Sequence, residues 1–316
     1  MDNKMHLRWQ TILAALLVLG VIIIAGLADV LAPTVGDVID GVQLAGRPTD
    51  QLPHPPSTEA LLGTTPGQYD IFYALVHGTR DALIFGLVTT VLTALIGIIV
   101  GAVSAMSGGR INQFSMRFTD GILCFPVIAG IAFFQQLIDM TRITQTGDVQ
   151  MFLSAPFTVN TPQALETSSF FTNLNPVMLA LIVLCWVPYA RTLNLLILQT
   201  KRLEFITAAQ ASGASTWRIF LRHILPNTSA PLIVLATKDI GQMVVLQTTF
   251  SFVGFSGMSA WATPLLVSRS WIIGIGGNPW SYWWVYLPIT LAIILFALGW
   301  NLLGDELNYW LNPRKN

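Results

Sequence analysis

Charge is the scarcest commodity in this 316-residue chain. Lysine, arginine, aspartate and glutamate make up only 10% of it, against about 25% in soluble globular domains. The formal net charge is zero, which removes the basic surface that a nucleic-acid partner requires. Cysteine is nearly absent. Cys124 and Cys185 each sit inside an apolar run, so no disulfide framework or thiolate metal site can be assembled, and both read as small core hydrophobes. No G-x-x-x-x-G-K-[ST] phosphate loop occurs, so any ATP must be bound by another chain. Gly254-Phe255-Ser256-Gly257 falls short of a nucleophile elbow because it lacks the second spaced glycine. The four histidines show no orienting acid nearby. An enzyme embedded in the membrane would need clustered His, Asp or Glu within apolar segments, and only Asp120, Lys238 and Asp239 are on offer there. The reading is therefore a non-catalytic chain. No repeat at a solenoid period is visible.

What is present is apolar sequence. Hydrophobic residues make up 53% of the chain, and the mean hydropathy is +0.63. Six windows approach or exceed the roughly 18–20 residues needed to span a bilayer. They lie at about 9–28, 82–106, 118–138, 175–198, 229–252 and 283–303. The first comes after Lys4 and Arg8, so a signal peptide is its rival reading. Its length, the want of a small-x-small cleavage site and the immediate Asp29 favour an uncleaved span. Residues 29–81 are polar, acidic and proline-rich, an extended loop with little regular structure. Residues 139–174 form a polar insertion, which could receive a partner, shape a mouth or simply decorate a loop. The expected fold class is all-α: a polytopic membrane protein with six transmembrane helices. Residues 1–81 form an N-terminal span and loop, and 82–316 the core, with a cytoplasmic loop at 199–228.

Basic residues set the orientation. With the N-terminus inside, ten of the sixteen lysines and arginines fall on inside segments and four outside. Both termini are then cytoplasmic, and so is the stretch Glu204 to Asn227. That stretch reads as helix, turn, helix. Glu204 to Ser212 is a good helix former, and Gly213 stands where a helix commonly stops. Trp217, Phe220, Leu221 and Ile224 then recur at helical spacing, and Pro226 suits the first turn of the next helix. Ala208 and Ala209 beside a glycine turn allow another surface to approach closely. The plainer alternative is a membrane-surface helix with no partner.

This stretch resembles the cytoplasmic "EAA" loop of permease subunits of binding-protein-dependent ABC importers, in the dipeptide/oligopeptide/nickel branch and of the C type. The pattern E-A-A, three residues, G, nine residues, I-x-L-P appears here as Thr207-Ala208-Ala209, Gly213 and His223-Ile224-Leu225-Pro226. Thr207 replaces the glutamate, but Glu204 lies one helical turn back on the same face. His223 replaces the isoleucine. A second run, G-T-D-x-x-G-R-D…G-x-R, is matched at Gly63, Thr64, Asp70, Gly78 and Arg80, with Thr65, Gln68 and Tyr69 in place of the family's aspartate, glycine and arginine. Asp120, Phe125-Pro126 and Asn301-Leu302-Leu303-Gly304-Asp305 are also family-like.

The resemblance implies a multi-pass permease of a prokaryotic cytoplasmic membrane. Its partners would be a homologous second permease, two ABC ATPases carrying ATP and Mg, an extracytoplasmic solute-binding protein and the lipid bilayer, with no nucleic acid. No cofactor is expected in this chain. The implied substrate is a di- or oligopeptide, with nickel chelates or oligosaccharides as alternatives in the same importer class. Glu204, Thr207, Ala208, Ala209, Gly213, Leu225 and Pro226 would couple to the ATPases. Lys238-Asp239 lies about midway along the fifth window, where each charge costs about 2.5–3.5 kcal/mol at a helix centre. The pair is either neutralised by another helix or lines the translocation path. An ion-coupled secondary transporter is the competing class, and it predicts pseudo-symmetric halves and broken helices.

Overall fold

The computed structural model describes residues 2–146, 175–255, 259–274 and 277–311. Long helices dominate them: α1 (Asp2–Gly26), α3 (Ile71–Ser107), α4 (Gly109–Leu123), α5 (Val127–Thr146), α6 (Pro176–Leu184), α7 (Val187–Thr200), α10 (Leu225–Val253) and α13 (Trp283–Leu311). Short helices α2 (Ala28–Leu31), α8 (Glu204–Ala211), α9 (Thr216–Ile219), α11 (Ala262–Val267) and α12 (Arg269–Ile273) connect them. Five helical stretches are long and apolar enough to cross a membrane, and α4 with α5, bent by 82° at their junction, are long and apolar enough only together.

Two of the expected spans differ in shape. The second begins at Ile71 rather than at 82, because Asp70 caps the helix. Its carboxylate accepts the Phe72 N–H at 2.8 Å and the Tyr73 N–H at 3.2 Å, two of the donors a helix start leaves free. With 37 residues, α3 is about 55 Å long, well beyond a hydrocarbon core of about 30 Å. The third is not straight. Pro126 offers no N–H to the preceding turn, and the chain turns at Cys124-Phe125-Pro126. Proline likewise explains the break between α6 and α7, since Pro188 cannot donate to the Leu184 carbonyl.

Side-chain contacts fix the directions of the spans. Gly97 meets Trp186 and Tyr189, and Gly101 meets Ala190. Ser104 bonds Asn194 and the Lys201 ammonium bonds the Ala105 carbonyl. These pairs rise together in number, so α3 and α7 run parallel and end on the same side. The chain must therefore cross back between Ser107 and Asn175, the interval that holds the bent α4–α5 stretch. By the same reasoning α13 is antiparallel to α10, with Gly241 on Ala297 and Gly304 on Lys238. It is antiparallel to α1 as well, with Gly299 on Leu17 and the Thr11 hydroxyl donating to Glu306 at 2.7 Å. Glycines recur at these contacts because helices in lipid associate by close backbone approach.

The segment before α3 is ordered rather than extended, a difference from the sequence expectation. Asp40 and Gly41, at φ of 52° and 77°, turn a two-residue hairpin between β1 (Val38–Ile39) and β2 (Val42–Gln43). An Asp-Gly pair between β-branched residues is the local signal for this turn, and a reading by composition alone overlooks it. Gly63 packs so tightly on the His54 carbonyl and Trp284 that a Cβ would stand 2.5 Å from the former. Gly78 admits the indole of Trp261, whose Nε1 donates to the Leu75 carbonyl at 3.2 Å. Arg80 pairs with Asp29 at 3.1 Å. His54 does have an acid beside it, since Asp50 sits 2.9 Å from its Nε2, and this holds the Asp50 carboxyl below its usual range. Gln68 has φ of +61°. That left-handed geometry suits glycine, the residue expected at this position from the family pattern. Here the Gln68 amide donates to the Leu52 carbonyl at 3.0 Å and its oxygen accepts from Thr64 at 3.3 Å.

Candidate functional site

The stretch after the fourth span forms as expected up to Gly213. Helix α8 starts at Glu204 and carries Thr207, Ala208 and Ala209. Gly213 adopts φ of +78° with no atom within 4 Å of where a Cβ would lie. The Ala214 N–H then bonds the Ala209 carbonyl at 3.1 Å, the reversed-chain closure that makes a left-handed residue necessary. Ser215 caps the next helix by accepting the Arg218 N–H at 3.4 Å, a start signal of the kind that a serine ahead of an apolar run provides. Beyond α9 the helix widens into a π turn, Phe220–Ile224, and runs directly into α10. The Leu225 N–H reaches back to the Phe220 carbonyl. Pro226 explains the widening, because it cannot bond the Arg222 carbonyl and its ring would press on it.

The loop has two faces. Ile206, Ile219 and Ile224 are buried at 0%, 3% and 0% exposure, packed with Ala105, Leu193 and Ile197 of α3 and α7. Ala209 and Leu225 are partly covered by the same cluster. On the other face Glu204, Thr207, Ala208, Gly213 and Pro226 are exposed. Trp217 and Leu221 do not join the inward apolar face that their spacing suggests. They stand 68% and 45% exposed, with Phe205 and Leu203 similarly bare. The sequence pattern alone cannot say which apolar residues of a two-faced loop point inward.

Lys201 fastens this loop to the end of α3. Its ammonium donates to the Ala105 carbonyl at 2.7 Å and approaches that of Met106 at 3.5 Å, where a helix carries its negative end. Partial burial lowers its pKa from the ordinary lysine value. A cavity of about 230 Å³ beside it is lined by Met106, Lys201, Ile206, Thr216, Ile219 and Ile224. Just beyond, Ser104, Asn112 and Asn194 form a polar triad joining α3, α4 and α7, with bonds of 2.6–3.3 Å. Arg191 pairs with Asp120, a second tie between α7 and α4.

Lys238 and Asp239 part company. Lys238 lays its stem over Gly304 and pairs with Asp305 at 2.5 Å. Asp305 ends the apolar run of α13, so the ammonium sits at the polar end of the last span rather than opposite its middle. Asp239, half-buried, turns to the buried Tyr189 of α7, whose hydroxyl has no aligned hydrogen-bond partner. The first residues of the expected 139–174 insertion continue α5 to Thr146; its remainder, 147–174, and Ser256 and Gly257 of the elbow-like run lie outside the described residues. Among the described residues no group of three or more His, Cys, Asp or Glu side chains could hold a metal.

Residues 94–316 match the family described as binding-protein-dependent transport system inner membrane component. The chain belongs to this family. It is 27% identical over 260 residues to the dipeptide transport system permease protein DppC of Bacillus subtilis, covering 82% of this chain and 70% of that one. It is 28% identical over 262 residues to the nickel transport system permease protein NikC of Escherichia coli, covering 82% and 80%. With the oligopeptide transport system permease protein OppC of Bacillus subtilis it shares 24% over 263 residues, covering 82% and 73%. The chain is thus a multi-pass ABC importer permease subunit of the peptide/nickel type. The family match takes in the whole of the loop from Lys201 to Pro226 and begins within α3.

Proposed function

We propose that this permease carries di- or oligopeptides inward, and that the loop from Lys201 to Pro226 couples it to two cytoplasmic ATPases. The single observation that carries the coupling role is the loop's construction. One face is riveted to α3 and α7 by three buried isoleucines and Lys201, while the other presents Glu204, Ala208, Phe205 and Trp217 to an absent surface. A load applied to α8 would pass through Ile206 to the end of α3, and through the π turn and Pro226 into α10. Access would then alternate as the ATPases, holding ATP and Mg, close and reopen. A homologous permease would complete the path, an extracytoplasmic binding protein would deliver solute, and both termini would be cytoplasmic in a prokaryotic inner membrane. The Thr11–Glu306 bond supports the termini lying on one side.

Lys238 and Asp239 are proposed to edge the path differently: Lys238 as part of a tie to α13, Asp239 as the group available to a charged solute. Asp239→Asn should change substrate preference with normal assembly, whereas loss of the complex would give Asp239 a structural role. Nickel-chelate transport is the second reading, favoured by the likeness to the nickel permease. The test is purification of the tagged chain in mild detergent, mass spectrometry of its companions, and uptake of labelled dipeptide and of nickel by the reconstituted complex. Two ATPases, a related permease and ATP-dependent dipeptide uptake support the proposal. A lone chain that moves solute without ATP overturns it, and uptake of nickel alone transfers the substrate to the second reading.

A further inference from the structure

Helix α4 has a face that nothing among the described residues covers. Arg110, Phe114, Arg117 and Gly121 recur at helical spacing, opposite the Asn112 and Thr119 that face the bundle. Phe114 is 74% and Phe118 59% exposed. At the lower end of this face an apolar groove of about 440 Å³ opens between α4, the elbow at Phe125 and Leu184 of α6. Its lining is Phe118, Gly121, Ile122, Phe125 and Leu184, with Arg117 as the one charged side chain at its rim. The volume falls within the roughly 300–1,000 Å³ of small-molecule sites.

The arginines distinguish the possible occupants. Four other cations near the spans are engaged: Arg80 with Asp29, Arg191 with Asp120, Lys238 with Asp305 and Lys201 with a helix end. Arg110 and Arg117 have no such partner among the described residues, and Asp120, one turn from Arg117, is taken by Arg191. The two are seven residues apart, about 10 Å along one face. Both come after the end of α3 near the Lys201 clamp, on the side proposed above as cytoplasmic. Burying two unpaired guanidiniums against a second protein in the membrane would be costly without matching acids. A phosphate on an apolar tail satisfies both the cations and the groove.

We infer that this face binds an anionic phospholipid, its headgroup between Arg110 and Arg117 and an acyl chain in the groove beside Phe118 and Phe125. The leaflet assignment rests on the orientation proposed above; the site itself does not. The experiment is native mass spectrometry of the delipidated, purified complex titrated with phosphatidylglycerol and with phosphatidylcholine. The wild-type protein should prefer phosphatidylglycerol. Arg110→Gln/Arg117→Gln should lose one bound phosphatidylglycerol per chain, with affinity falling about fivefold for each arginine, the worth of one basic residue at an anionic surface. Arg110→Lys/Arg117→Lys should retain it, and Arg47→Gln should change nothing. Equal binding of the two lipids, or an unchanged count in the glutamine variant, overturns the site. So does a Phe118→Cys variant that cross-links efficiently to a companion permease, because the face is then a subunit interface. None of these readouts needs ATP, so failure of the coupling proposal leaves the lipid result standing, and the reverse.

Discussion

The connection before the second span and the loop after the fourth lie at opposite ends of α3 and are built on opposite plans. The first satisfies itself. Its turns are closed by Asp40-Gly41, Gly63 and Gln68, its polar side chains bond its own backbone, and Thr64, Thr65 and Gln68 are buried. The second buries three isoleucines on one side and leaves two aromatic rings and two leucines bare on the other. Exposed large apolar groups clustered on a polar loop mark a surface made for a partner. The first also leaves Val35, Leu52 and Leu61 exposed, but no aromatic ring is among its exposed large hydrophobics. The exposed rings of the second support the docking role proposed for it.

Substitutions can break that contrast, beginning with the largest effect. Ile206→Asp places a carboxylate in a fully buried site of the proposed coupling loop, at a cost of about 3–5 kcal/mol. Limited proteolysis should then cut within 203–216 and transport should vanish, with the segment before α3 untouched. Trp217→Ala removes the most exposed aromatic of the loop. If the proposed docking is right, an aromatic anchor there is worth about 2 kcal/mol, so ATPase affinity should fall about thirtyfold in a pull-down, with the fold intact by circular dichroism. Gly213→Val forces a β-branched residue into a left-handed conformation at about 1–2 kcal/mol. The expected outcome is ATP hydrolysis without uptake in reconstituted vesicles, membrane insertion being normal.

Two changes at the other end sharpen the comparison. Asp70→Ala deletes the helix cap at about 1 kcal/mol. Hydrogen exchange at Phe72 and Tyr73 should speed up while ATPase pull-down is unaffected. Gln68→Gly relieves left-handed strain worth about 1 kcal/mol but loses two hydrogen bonds of similar worth. Thermal stability should move by little, in contrast to Gly213→Val, where nothing offsets the strain.

Much of this is legible in the residues. Six apolar runs announce six crossings, and the spacing of Ala208-Ala209, Gly213 and Leu225-Pro226 locates the loop and its turn. The start of α3 escapes a reading by composition because Asp70 sits in a polar stretch that looks like loop, although its carboxylate is the cap. The bend of the third crossing is carried by Phe125-Pro126, a pair whose family likeness draws attention away from its missing N–H. Periodicity places Trp217 on an apolar stripe, but it does not say which of two surfaces covers that stripe, and the ring stands outside.

What the sequence determined by itself is the class of the molecule. Runs of apolar residues cannot remain in water, and glycine, proline and capping residues dictate local turns by steric and hydrogen-bonding rules that act within a few residues. What only the tertiary structure decided is pairing at a distance. Lys238 stands next to Asp239 in the chain yet pairs with Asp305, and Arg191 meets Asp120. That α3 and α7 end on one side was decided by Lys201 reaching Ala105. These choices depend on which helices pack together, through contacts between residues tens of positions apart, and no short-range rule contains them.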